Sequence, residues 1–274
     1  MKSKLTVVGL AGLLLVSGLT SCGDTSKTIS VCASELPHAQ ILNESVKPIL
    51  EKEGYTLQVK VLDWTMQNDS VYSGDYDANY FQHIPYLDTY NPKEDKVFAV
   101  AKVHYEPLRI YAGKASVTYT DSKATFEICN DTSNGTRALD LLVANGVISS
   151  YEKDSDGNAD FTKLPSNITA VAENLLVASL PDYDYGLLPC NTAMTGNIDG
   201  NSEANKDLPT ESETLASAKA NVLAANTSKY KNDSTYKTKI DVLADALLST
   251  TVKDYIDTTW KGVVLTYQED LRTK

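Results

Sequence analysis

Metal-ligand residues are scarce in this chain. In 274 residues there are three histidines (His38, His83, His104) and four cysteines (Cys22, Cys32, Cys129, Cys190), with no CxxC spacing. So thin and scattered a ligand set excludes a zinc centre as an expectation, and nothing calls for a cofactor. Base is also in deficit: 25 Lys and Arg against 36 Asp and Glu give a net charge of -11. That balance argues against nucleic acid and against direct adhesion to anionic lipid headgroups. Long apolar runs are missing except near the start, and no nucleophile motif stands out. Cys190 or Cys129 with His83 would make a thiol–imidazole pair, but no third, orienting group accompanies it. Enzymatic activity is therefore not expected.

What is present begins with the N-terminus. Met1-Lys2-Ser3-Lys4 precedes an apolar run from Leu5 to Val16 and then Leu19-Thr20-Ser21-Cys22. A basic start, an apolar stretch short for a bilayer and a small-residue cleavage site make a secretory signal over 1–21. The tetrapeptide ending in Cys22 resembles the bacterial lipobox, which implies lipidation of that sulfur. Removing 1–21 takes away Lys2 and Lys4 and no acid, so 23 bases against 36 acids leave -13. Membrane contact then falls to the acyl chains. Residues 22–27 form the lipidated tether. Cys32, Cys129 and Cys190 remain, an odd number, so at least one has no intrachain partner.

The mature chain reads as α/β. Thr28–Ala33 is a strand signal; Pro37 opens a helix with Leu42, Val46, Ile49 and Leu50 on its apolar face, and Gly54 follows it. Thr56–Leu62 alternates as a strand, which completes a βαβ unit and implies parallel pairing. The polar-aromatic stretch 74–86 (GDYDANYFQHIPY) shows no helical or strand period and is expected to be a connecting segment that carries binding groups. Val97–Val103 is a strand and 104–107 a bend. After Thr125–Cys129, Ser133 or Asn134 can cap a helix on which Arg137 lies one turn in, placed to grip a carboxylate with its two-pronged guanidinium. Asn191 falls just past the strand Tyr185–Pro189. Residues 197–214 are polar and expected on the surface, and the C-terminal third is helical with a last short strand.

Several segments taken in order resemble the NlpA-type lipoproteins, the methionine-binding components of bacterial ABC importers. They are ELPHAQIL (35–42), DYDANYFQHIPYL (75–87), VHYEP (103–107), NDTSNGTRAL (130–139), LLPCNTA (187–193), KANVL (219–223) and WKGVV (260–264). The resemblance implies a two-lobed, periplasmic-binding-protein-like α/β fold with a hinge and a ligand cleft. Lobe one would be 28–112 plus 222–274, and lobe two 113–221. It further implies L-methionine as ligand, delivery to an ABC permease and its ATPase, and a lipid anchor on the extracytoplasmic side of the cell membrane. Arg137 would hold the α-carboxylate with Asn130 and Asn191 beside it, and Asn221 would face the amino group. Trp64, Tyr80, Phe81 and His83 would surround the side chain. Three departures from the family pattern, Asp63-Trp64, Pro189-Cys190 and Cys129, touch the cleft side. They leave another apolar amino acid or a methionine-containing dipeptide open as ligand, and an adhesin or structural lipoprotein open as role. A Cys129–Cys190 disulfide is conceivable, since both precede cleft asparagines.

Overall fold

The computed structural model describes residues 27–272. The signal segment, Cys22 and the tether up to residue 26 lie outside the described residues. Among those described, no helix is long and apolar enough to cross a membrane.

Strands form where β-branched and aromatic residues concentrate. In chain order they are β1 (Thr28–Ala33), β2 (Thr56–Val61), β3 (Ala78–His83), β4 (Val97–Tyr105) and β5 (Arg109–Ala112). After these come β6 (Phe126–Cys129), β7 (Ile168–Val171), β8 (Tyr185–Leu188), β9 (Asn221–Asn226) and β10 (Leu265–Asp270). They build two sheets, one ordered β10-β4-β9-β3-β1-β2 and the other β5-β8-β6-β7. As the βαβ pattern requires, β1 lies parallel to β2 and β3, and β6 lies parallel to β7 and β8. Each sheet has its own core. Ile29, Val31, Leu42, Val46, Leu50 and Ile240 are fully buried in the first. Phe126, Ile128, Leu139, Leu142 and Leu187 are fully buried in the second. Each such side chain contributes about 1.5–3 kcal/mol by leaving water.

Three points left by the sequence are decided here. Ala78–His83 is a central strand, buried at every position, and not a connecting segment. Its period is hidden because both faces are covered and its polar residues are satisfied internally. Asn79 and Gln82 share Asn68 through three side-chain hydrogen bonds of 2.6–2.9 Å, and Gln82 also donates to Asn79 Oδ1 at 3.0 Å. Second, Arg109–Ala112 pairs antiparallel with β8 and so belongs to the second sheet, not to the lobe one segment ending at 112. Which edge an isolated four-residue strand joins is a tertiary choice. Third, Cys32, Cys129 and Cys190 are all free thiols and buried, so no Cys129–Cys190 bond is made. Burial pushes Cys32 up to about 12 and the other two also upward. They stay protonated and are poor nucleophiles.

A buried acid ties the second sheet to the segment ahead of β6. One Asp184 oxygen accepts Ser116 N at 3.1 Å and Ser116 Oγ; the other accepts Thr125 N at 2.9 Å and Thr125 Oγ1 at 2.8 Å. The hydrogen bond from Ser116 and those from Thr125 hold this carboxyl well below the usual carboxylate range. Its stabilisation is fully present above the unfolded value of about 3.9 and is lost as pH falls through the lower folded value. Asp184→Asn should cost about 2 kcal/mol at neutral pH and flatten the acid limb of melting temperature against pH. A parental profile in a thermal melt series would contradict this.

Candidate functional site

The two sheets face each other across a cavity bounded by the carboxyl ends of β3 and β8 and by the start of the helix after β6, where open α/β sheets bind ligands. It is lined by Trp64, Phe81, Gln82, His83, Tyr86, Glu106, Asn134, Arg137, Pro189, Asn191 and Asn221, and encloses about 310 Å³ of atom-free space, part of it open to solvent. The waist is narrow: the centre of a water molecule can reach only about 20 Å³ of it.

One side is aromatic. Asp63 caps the helix Trp64–Ser73 by accepting Thr65 N at 2.9 Å, which sets Trp64 at the first turn. The β3–β9 register slips between Tyr80 and Gln82, so Phe81 is the extra residue of a bulge and leaves the ladder. Bulges re-aim side chains, and this one turns Phe81 toward Trp64 and Tyr86, with ring centroids 6.4 and 5.8 Å away. Tyr80, next in line, does not reach the cavity. It is fully buried in the first core, with its hydroxyl donating to His104 Nδ1.

The other side is polar. His83 caps the following helix through Nδ1, which accepts Tyr86 N at 3.1 Å; Nε2–H then donates to Asn134 Oδ1 at 3.0 Å. Burial, reinforced by the nearby Arg137 charge, lowers its pKa to about 3, so it is neutral. Register brings His83 and His104 opposite Asn221 on either side of β9. Asn221 Oδ1 lies 3.1 Å from His38 Nε2.

Glu106, in the short crossing from β4 to β5, is the one acid lining the cavity among the described residues. Its Oε1 is 2.7 Å from His104 Nε2 and 3.3 Å from His38 Nε2, and its Oε2 accepts Asn191 N at 3.3 Å. Burial lowers His38 to about 4 and His104 to about 3, and it raises the Glu106 carboxyl. Two neutral imidazoles and one backbone N–H therefore surround the buried Glu106 carboxyl. These are also the group of metal-ligand atoms lying within 4.8 Å of one another among the described residues. Both imidazole Nε2 atoms are engaged by Glu106, and His38 Nδ1 is buried without a hydrogen-bond partner.

Arg137, 4% exposed, projects from the helix Thr132–Ala144. The cap of that helix is Asp131, whose side chain accepts Asn134 N, and not Ser133 or Asn134. Arg137 already holds a partner: Nε donates to Glu211 Oε1 at 2.6 Å, and Nη2 donates to Glu211 Oε2 and to the Glu106 carbonyl at 2.6 Å. The fork foreseen for a ligand is thus partly engaged by the protein. Asn191 is the second residue of the helix Cys190–Thr195, and its Oδ1 is buried without a donor.

Of the residues expected from sequence, Trp64, Phe81, His83, Arg137, Asn191 and Asn221 share this cavity. Tyr80 does not, and Asn130 is exposed at the end of β6, outside the lining. Gln82, Tyr86, Glu106, Asn134 and Pro189 were not foreseen. The signal for Glu106 was present in VHYEP, where an acid beside two strand-end residues reads only as a bend.

With this geometry in view, the relatives can be compared. A family described as NlpA lipoprotein matches residues 29–267. The chain is similar to the methionine-binding lipoprotein MetQ of Bacillus subtilis (strain 168), 33% identical over 282 residues, covering 95% of this chain and 98% of the relative. It is similar to membrane lipoprotein TpN32 of Treponema pallidum (strain Nichols), 28% identical over 277 residues, with 96% and 97% covered. Among solved structures it resembles a nutrient-binding protein of Burkholderia cenocepacia bound to methionine, with TM-score 0.74, 28% identity, and 87% and 99% of the two chains covered. Matched along nearly its whole length, the chain belongs to the NlpA lipoprotein family.

Proposed function

We propose that this protein captures L-methionine in the inter-sheet cavity and hands it to an ABC permease and its ATPase. In this reading it is held on the extracytoplasmic side of the membrane by lipid on Cys22. The observation that carries the reading is one cavity that sets a buried arginine and a buried glutamate beside an aromatic box. A zwitterion fits that pairing, because an unpaired charge in a closed cleft costs several kcal/mol. Arg137 Nη1 faces the α-carboxylate. Glu106 and the donor-less Oδ1 of Asn191 accept from the ammonium, with Asn221 alongside. Trp64, Phe81 and Tyr86 enclose the thioether, whose sulfur gains about 0.3–1.5 kcal/mol on aromatic edges. The named ligands of the B. subtilis and B. cenocepacia relatives support the same choice. Entry requires the lobes to part, since the waist reaches only about 20 Å³. Closure is then a hinge motion biased by ligand.

A second reading, a methionine-containing dipeptide, draws on a wider and more open hollow, about 1040 Å³ of atom-free space on the same measure, that shares Trp64 and Asn191 with the cavity. A thermal-shift panel of amino acids and dipeptides separates the two. At a hundredfold excess over Kd, the true ligand should stabilise by about 2.7 kcal/mol, a rise of about 5–10 °C for a chain of this size. A flat response across the panel would remove both readings.

A further inference from the structure

Glu211 lies in the polar stretch 197–214 that composition marks as surface, yet it is buried. It does not line the cavity. Besides its two bonds from Arg137, its Oε2 accepts Leu108 N at 2.8 Å and Tyr105 hydroxyl at 3.0 Å. The Tyr105 ring lies 5.9 Å from the guanidinium carbon. The Nε–Nη2 edge of Arg137 is thus engaged by Glu211 and by the Glu106 carbonyl, and Nη1 takes no part in those bonds. A guanidinium is planar and its five N–H directions are fixed, so pinning one edge dictates where the remaining nitrogen points.

We propose that Glu211 is the positioning residue for recognition of the ligand carboxylate. Resting on the amino-acid reading above, this means that Glu211 holds Arg137 from behind. Nη1 then meets the carboxylate end-on, and amide donors complete the contact. The opposite role, an internal carboxylate that competes for Arg137 and leaves when ligand arrives, would need Glu211 to face the cavity. It stands off the lining, anchored to Leu108 and Tyr105, and a ligand can bind without breaking the pair. Recognition of the carboxylate is therefore prebuilt before closure, and the geometry of one nitrogen carries it.

The test uses the purified protein and Glu211→Gln, which keeps the shape of the side chain and removes its charge. Calorimetry should show L-methionine affinity falling by about tenfold or more, as loss of a charge-assisted bidentate partner implies. Affinity for L-methioninol, which lacks the carboxylate, should stay within about twofold on the same argument, and Glu211→Asp should restore part of the loss. Independently of any ligand, nitrogen-15 NMR of the parent should contain one slowly exchanging arginine Nε–H resonance, absent in Arg137→Lys and lost in Glu211→Gln. The proposal is overturned if Glu211→Gln binds L-methionine as tightly as the parent or more tightly, if both ligands weaken together, or if the parent has no protected Nε–H. Should the parent itself bind no L-methionine, the ligand reading fails alone, and the Nε–H resonance still decides the role of Glu211.

Discussion

Arg137→Ala is expected to abolish detectable L-methionine binding and, separately, to lower the melting temperature of the free protein. The first effect follows from removing the one arginine or lysine that lines the cavity among the described residues. The second follows from the buried pair: Arg137 and Glu211 are 3% and 4% exposed at their side chains. Breaking such a pair from one side leaves an uncompensated buried charge and costs about 3–5 kcal/mol, on the order of 10 °C for this chain length. The double variant Arg137→Ala/Glu211→Ala should regain a large part of that stability and none of the binding. Burying two charges is itself costly, so deleting both is far milder than deleting one. Calorimetry and thermal melts on the three proteins check both halves. Binding retained by the single variant would refute the carboxylate assignment, and equal melting of single and double variants would refute the pairing argument.

Glu106→Gln should show the opposite division, with binding lost and stability kept. On the proposed reading its carboxyl group accepts from the ligand ammonium, and losing a charge-assisted hydrogen bond of that kind costs about 3 kcal/mol, roughly a hundredfold in Kd. In the free protein the same carboxylate is a burden, because burial raises its pKa. For a carboxyl whose folded pKa is raised, the folded state is penalised as pH climbs above the unfolded value of about 4.3, and the penalty grows until the raised folded value is passed. A glutamine carries no such penalty. It can still present an oxygen to His104 and His38, which both reach Oε1, while the weaker 3.3 Å bond from Asn191 N is given up. The variant should therefore melt, at pH 7, no lower than about 2 °C below the parent while losing L-methionine. Parental affinity in this variant would show that the ammonium is held elsewhere.

Both effects trace to residues whose visibility in the sequence was unequal. Arg137 was legible because a polar loop opening an amphipathic helix is a local pattern. Glu106 was not, because nothing within a few residues of it tells that His38, from the segment after β1, will meet it. The expectation that 74–86 connects other elements fails for a related reason. A strand covered on both faces loses its period of two, and the Asn68–Asn79–Gln82 network hides its polar residues from any hydropathy argument. Phe81 and Tyr80 illustrate the limit further. Adjacent aromatics cannot be told apart locally, and the slip in register between Tyr80 and Gln82 sends one to the cavity and the other to the core. Asn130 and Asn134 likewise sit four apart around one loop, and only Asn134 lines the cavity.

By itself the sequence determined the class of the fold, most of its strands and helices, the likeness to a lipoprotein family and an arginine that the cavity brings to its wall. These depend on patterns of a few to a few dozen residues, the range over which periodicity, caps and motifs act. The tertiary structure alone decided that β5 joins the second sheet, that the thiols remain unbonded, that Glu211 pairs with Arg137 and that Glu106 is the buried acid of the cavity. Each of those pairings joins residues from distant parts of the chain, and their energies come from desolvation and charge at close range, which exist only once the two sheets have come together.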